Sequence, residues 1–183
     1  MHQNRAREDK AGANSIRIVP ASPAHVGRIA CRMRADDVIE CAAMGHTPKQ
    51  ALREGLIAST LCFTALVDGR PEAMVGLVVA SALSGEGTPW MLGTDAIYDH
   101  PRAMLRWGPR FVAAMLASTP VLSNLVAVDN VRAIRFLRRL GFRLAEDRIL
   151  FAGTEFVAFS QERRCCGVRL CGVADDRPTV FSE

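Results

Sequence analysis

Long apolar runs are missing from this 183-residue chain. A helical membrane span needs about 20 consecutive apolar residues, so none is expected. The opening MHQNRAREDK has no apolar signal core, and export by that route is not expected either. Lysine is nearly absent: only Lys10 and Lys49 occur, so 21 of the 23 basic residues are arginine. Tyrosine is scarcer still, with Tyr98 alone, and aromatic residues make up 6% of the chain. With so little aromatic interleaving and no recognised nucleic-acid module, a nucleic-acid partner is not expected. No Cys-x-x-Cys pair occurs and no histidine follows Cys166, so a zinc site is not expected.

What is present describes an ordinary globular chain, 49% hydrophobic and 23% charged. That composition excludes wholesale disorder, which needs low hydrophobicity and high net charge. The length fits one domain with short extensions. The net charge of +4 is carried by arginine. Arginine grips carboxylate and phosphate in a bidentate fork, but a GC-rich genome accounts for the same bias. Cys31, Cys41 and Cys62 lie in apolar or helical context and read as small buried hydrophobes. Cys165, Cys166 and Cys171 cluster near the end, with no role that the sequence defines.

Three segments follow: a polar arm over residues 1–14, a folded domain over 15–160 and a cysteine-containing tail over 161–183. Ile16 to Pro20 alternates as a strand. Ser22-Pro23 opens a helical stretch that continues, with a break, to Met44, and Gly45 stops it. Thr47 and Gln50 form a capping-box pattern for the next helix. Two β-rich runs, Leu61 to Val67 and Glu72 to Ser81, flank Asp68-Gly69 and read as a hairpin. Residues 84–89 read as a loop, Trp90 to Thr94 as a short strand and Asp99 to Ala117 as a helix. Leu122 to Val128 is a strand, Asn130 caps a helix ending at Gly141, and two short strands follow. This order predicts an α/β (α+β) fold: one mixed sheet of about six to seven strands flanked by about four helices.

The segment Asn130-Val131-Arg132-Ala133-Ile134-Arg135-Phe136-Leu137-Arg138-Arg139-Leu140-Gly141-Phe142 carries a resemblance. It is similar to the last helix and strand of the GCN5-related N-acetyltransferase (GNAT) superfamily, and the element order over about residues 15–160 agrees. A second resemblance combines Met44 to Leu52, Asp68 to Pro71, Thr88 to Asp95 and Asn130 to Phe142. Together these look like short-tailed bacteriophage proteins of the internal virion protein A-like kind, also called phage acetyltransferases. The family's link to virion morphogenesis implies a place in the virion or host cytoplasm, with other virion proteins as partners.

The GNAT resemblance implies that acetyl-coenzyme A enters where two parallel strands splay apart. It also implies a glycine loop and helix N-terminus that cradle the pyrophosphate. Here the strand end is Leu92-Gly93-Thr94-Asp95, and no glycine follows before Gly108. Pro101 removes one amide, and Asp99 would repel a phosphate. Thr94, Arg102, Arg106 and Asn130 are the candidate coenzyme-binding residues. Arg102, Arg106 and Arg110 share one side of a helix, as phosphate ligands or as a solvated face. Leu137 stands where the superfamily usually has a tyrosine as general acid, and leucine donates no proton. Asp36, Asp37, Glu40 and Glu86 are candidate bases that spacing does not single out, and the adjacent Asp36 and Asp37 read as solvent-facing. The catalytic residues thus stay unassigned. The resulting expectation is a virion assembly or virion-associated protein on a GNAT-like fold with a degenerate acetyl-coenzyme A site. The alternative is an active N-acetyltransferase that uses acetyl-coenzyme A.

Overall fold

A computed structural model describes residues 16–163 apart from 82 and 84. The polar arm and Cys165, Cys166 and Cys171 lie outside the described residues. The elements are β1 (Ile16–Pro20), α1 (Pro23–Ala30), α2 (Ala35–Ala43), α3 (Pro48–Ala58), β2 (Ser59–Val67), β3 (Arg70–Ser81) and β4 (Glu86–Gly93). A 3-10 turn (Asp95–Asp99) follows, then α4 (Pro101–Ser118), β5 (Val121–Ala127), α5 (Val131–Arg139), β6 (Arg143–Phe151) and β7 (Thr154–Glu162).

Local chemistry accounts for most of these boundaries. The Ser22 side chain accepts from Ala24 N–H, and Thr47 and Gln50 complete the capping box of α3. Asp68 and Gly69 both have positive φ, 48° and 80°, which sets a tight turn and pairs Val67 with Arg70. The helical stretch breaks earlier than its apolar pattern suggests. Met33 bridges Thr94, and the Arg34 N–H donates to the Gly93 carbonyl (3.0 Å), so these residues leave the helix to line the end of β4. Among the described residues five α-helices result, flanking one mixed sheet as expected. Residues 86–89, read as loop, begin β4. β6 is longer than its sequence suggests, because most of it is exposed and carries no alternating burial.

The seven strands run in the order β1-β2-β3-β4-β5-β7-β6. Among the described residues only β4 and β5 are parallel neighbours, and they pair at just Glu86↔Val121 and Gly87↔Leu122. Beyond that vertex they diverge. α1 and α3 pack Val26, Ile29 and Leu52 on one face, against Met74. α2 lies beside α3 on that face. On the other face, Val112 and Met115 of α4, with Ile134 and Leu137 of α5, pack on Leu77, Leu122, Val126 and Phe159. The fold thus sandwiches the divergence of β4 and β5 between two helical layers.

Candidate active site between the diverging strands

Strand alternation dictates which backbone groups face the gap. Thr94 N–H donates to the Glu72 carbonyl on β3, so Gly93 points the other way. Met91, two residues earlier, therefore presents its N–H and C=O to the gap. Pro89 occupies the position before that, where a missing N–H breaks no ladder. From β5, Asn124 bridges the gap near its vertex. Its Nδ2 donates to the Pro89 carbonyl (2.9 Å), and its Oδ1 accepts from Leu125 N–H (2.7 Å).

Past this bridge the gap opens into a cavity of about 500 Å³ that reaches both faces of the sheet. Arg34, Glu40, Met44 and Trp90 line it on the side of α1–α3; Met104, Trp107 and Leu137 line it beneath α4 and α5. The Trp90 indole is seated by two glycines: a Cβ on Gly55 would meet it at 2.7 Å, and one on Gly76 at 2.7 Å. Its Nε1 donates to Ser59 Oγ (2.9 Å).

α2 carries the polar part of the site. Asp37 is 1% exposed, which corrects the expectation that the adjacent acids face solvent. Its carboxylate accepts from Arg34 Nη2 (2.5 and 2.7 Å) and from Gly93 N–H at the end of β4 (2.8 Å). Glu40 Oε1 accepts from Ala127 N–H (3.0 Å) at the end of β5 and from Asn130 Nδ2 (2.9 Å). Burial pushes the Glu40 carboxyl above the usual carboxylate range, against the pull of those two hydrogen bonds. Asp36 is only half-buried, and Glu86 opens β4 at the vertex. Cys41 lines the cavity too, but burial pushes its thiol up to about 12, so it is no nucleophile near neutral pH. Cys31, expected inside, is exposed.

The candidate coenzyme residues divide. Asn130 is buried, caps α5 by accepting from Ala133 N–H (3.2 Å) and lines the cavity. Its bond to Glu40 exceeds a cap's ordinary role. Thr94 is buried, but its hydroxyl is committed to the Glu72 carboxylate, which Arg32 also holds (2.7 and 2.9 Å). Arg102 and Arg106 are exposed on α4, away from the cavity lining, and the Arg106 guanidinium leans toward the Trp107 ring (5.9 Å). Leu137 does line the cavity, so the site has no hydroxyl at that position. Sequence reading missed Arg34 and Asn124. Neither belongs to a motif, and both act through contacts with residues distant in sequence.

Tyr98, in the 3-10 turn, packs between two cations. The Arg34 guanidinium lies 4.7 Å from its ring centre, and that of Arg132 lies 5.4 Å away. Arg132 also reaches Asp95 (3.8 Å), which links the start of α5 to the turn after β4.

No protein-family profile matches this sequence, and no curated protein sequence matches it. Solved structures do match. Aminoglycoside acetyltransferase AAC(6')-Ib in complex with coenzyme A is 14% identical, with a TM-score of 0.58 over 81% of this chain and 95% of that one. The same enzyme with paromomycin and acetyl-coenzyme A gives 14% identity and a TM-score of 0.59, over 81% and 94%. A GNAT-family acetyltransferase from Streptococcus pneumoniae is 10% identical, with a TM-score of 0.55 over 81% and 99%. The fold is therefore that of the GNAT acetyltransferases. Among the described residues no helix is long and apolar enough to cross a membrane.

Proposed function

We propose that this chain is an N-acetyltransferase that moves an acetyl group from acetyl-coenzyme A to an amine. The observation behind this reading is the gap between β4 and β5, which opens into a cavity through the sheet. A virion-assembly role draws no support from the structural neighbours, and a gap left open weakens the case for a lost site.

The residues present fit the coenzyme in part. The Met91 N–H and C=O face the gap and suit the amides of a pantetheine arm. The pyrophosphate cradle does not take its usual form, because no glycine lies between Ala96 and Trp107 and Pro101 lacks an N–H. Arg102 and Arg106, exposed at the start of α4, would supply charge for the phosphates instead. Acetyl-coenzyme A would contribute the acyl group as an activated thioester.

Glu40 would act as general base and take the proton from the acceptor's ammonium. Burial suits it to that task, since a base whose pKa lies closer to neutral accepts a proton more readily. Asn130 and Ala127 hold its carboxylate in place through two hydrogen bonds. The apolar walls, Met44, Trp90 and Leu125 among them, would exclude water from the reacting groups. Leu137 gives no proton to the departing thiolate, which would take one from solvent. Incubation with acetyl-coenzyme A and a panel of amines tests the reading by thiol release and product mass. An acetylated amine that depends on Glu40 supports it; thiol release no faster than in buffer, across every amine class, overturns it.

A further inference from the structure

Arg34 is buried to within 4% of full enclosure, yet only one of its three guanidinium nitrogens is used. Nη2 donates to Asp37, whereas Nε and Nη1 are buried with no hydrogen-bond partner. The Tyr98 hydroxyl, on the ring that packs against this guanidinium, is buried and unpartnered as well. A buried donor left unsatisfied is destabilising, and more so when it is charged. Three such donors in one cluster, with Arg34 lining the cavity, call for an oxygen that no described residue supplies.

The position of Arg34 indicates whose oxygen this is. It opens α2 and lines the cavity, whereas Arg102 and Arg106 are exposed on α4 and do not. Glu40, the proposed base, lines the same cavity, so Arg34 stands with the group that would meet the acceptor. Glu40 lies six residues further along the same helix. In an α-amino carbonyl group the nitrogen and oxygen are about 3 Å apart. A single group of this kind can therefore present both its nitrogen and its oxygen to one cavity wall. With Asp37 already neutralising Arg34, Glu40 is the cavity-lining carboxylate of α2 left for the ammonium, and Arg34 offers free N–H groups to the oxygen.

Building on the proposed transferase activity, we infer that Arg34 reads the carbonyl or carboxylate oxygen of an α-aminoacyl acceptor, either a free amino acid or a peptide N-terminus. The amine enters beside Glu40, and its neighbouring oxygen completes the hydrogen bonding of Arg34.

The test compares phenylalanine, phenylalaninamide and a peptide with N-terminal phenylalanine against phenethylamine, which keeps the amine and side chain but lacks the oxygen. Acetyl-coenzyme A binding is followed separately by calorimetry. The expected result is at least a roughly tenfold higher kcat/KM for one or more oxygen-bearing acceptors, the size of a hydrogen bond to a charged group. Preference for phenylalanine marks a free carboxylate as the target, and preference for the amide and peptide marks an N-terminal carbonyl. Arg34→Lys should erase the preference through KM while acetyl-coenzyme A affinity holds. Equal or better use of phenethylamine by the unmodified protein overturns the assignment, whether or not Arg34→Lys folds. Transfer to none of the four while acetyl-coenzyme A binds overturns it too. Loss of acetyl-coenzyme A binding in the unmodified protein instead overturns the transferase reading beneath it.

Discussion

Asp37 and Glu40 sit one turn apart on α2, and each holds the end of a different strand. Asp37 accepts from Gly93 N–H at the end of β4, and Glu40 accepts from Ala127 N–H at the end of β5. These two amides face a gap in which neither strand has a β-partner. One helical turn therefore spans the mouth of the divergence and satisfies backbone donors that an open sheet would leave bare. Separation of the strands is thus a built feature of the molecule, with its own polar supports.

Glu40→Gln should raise stability at neutral pH and flatten its pH dependence. Burial raises the native carboxyl's pKa above its unfolded value, so the native state binds more protons and stability falls as pH rises through that interval. Glutamine keeps an oxygen for Ala127 and Asn130 but has no proton to lose. Thermal melts across mildly acidic to neutral pH check this. The same variant should lose acetyl transfer by about 100-fold or more, the scale of a general base.

Asp37→Ala should be severely destabilising, by about 3–5 kcal/mol, because it leaves the Arg34 guanidinium buried without its counter-charge. At about 2–4 °C per kcal/mol for a chain of this size, the melting temperature should fall by roughly 6–20 °C. Replacing Asp36, which is half-buried and outside this pair, should change it far less. Equal effects at the two positions would contradict the clamp.

Gly76→Ala should destabilise by about 1–3 kcal/mol through overpacking. The new methyl would meet Ser59 Oγ and the Trp90 indole, each at 2.7 Å. Because Trp90 lines the cavity, the variant should also shift tryptophan fluorescence. An unshifted spectrum with unchanged stability would show that the seat is looser than described.

The fold was legible from the sequence because its punctuation is local. Ser22, Thr47, Asp68-Gly69 and Asn130 each cap or turn through neighbours a few residues away, and each does so in the structure. The site was harder to read. Asp37 and Glu40 sit among other acids, and nothing in their spacing shows that Gly93 and Ala127, 56 and 87 residues away, will donate to them. Pro89 looked like a loop residue because a proline within a strand is tolerated only where the neighbouring strand has turned away. Arg34 gave no signal, since a buried guanidinium and an exposed one look alike in a chain with 21 arginines. The missing glycine loop and Leu137 were visible at once, but they pointed only to what the site lacks.

Arg102→Ala with Arg106→Ala should weaken acetyl-coenzyme A binding by roughly tenfold and make it less sensitive to salt, since exposed charge pairs are screened. Both side chains are exposed, so thermal stability should stay within about 0.5 kcal/mol of the parent. Unchanged affinity would return these arginines to the role of a solvated face.

Calorimetric titration of the unmodified protein with acetyl-coenzyme A tests the central claim most directly. A cavity between β4 and β5 that serves an acetyltransferase predicts saturable, one-to-one binding at micromolar ligand. No heat of binding at millimolar ligand would contradict it.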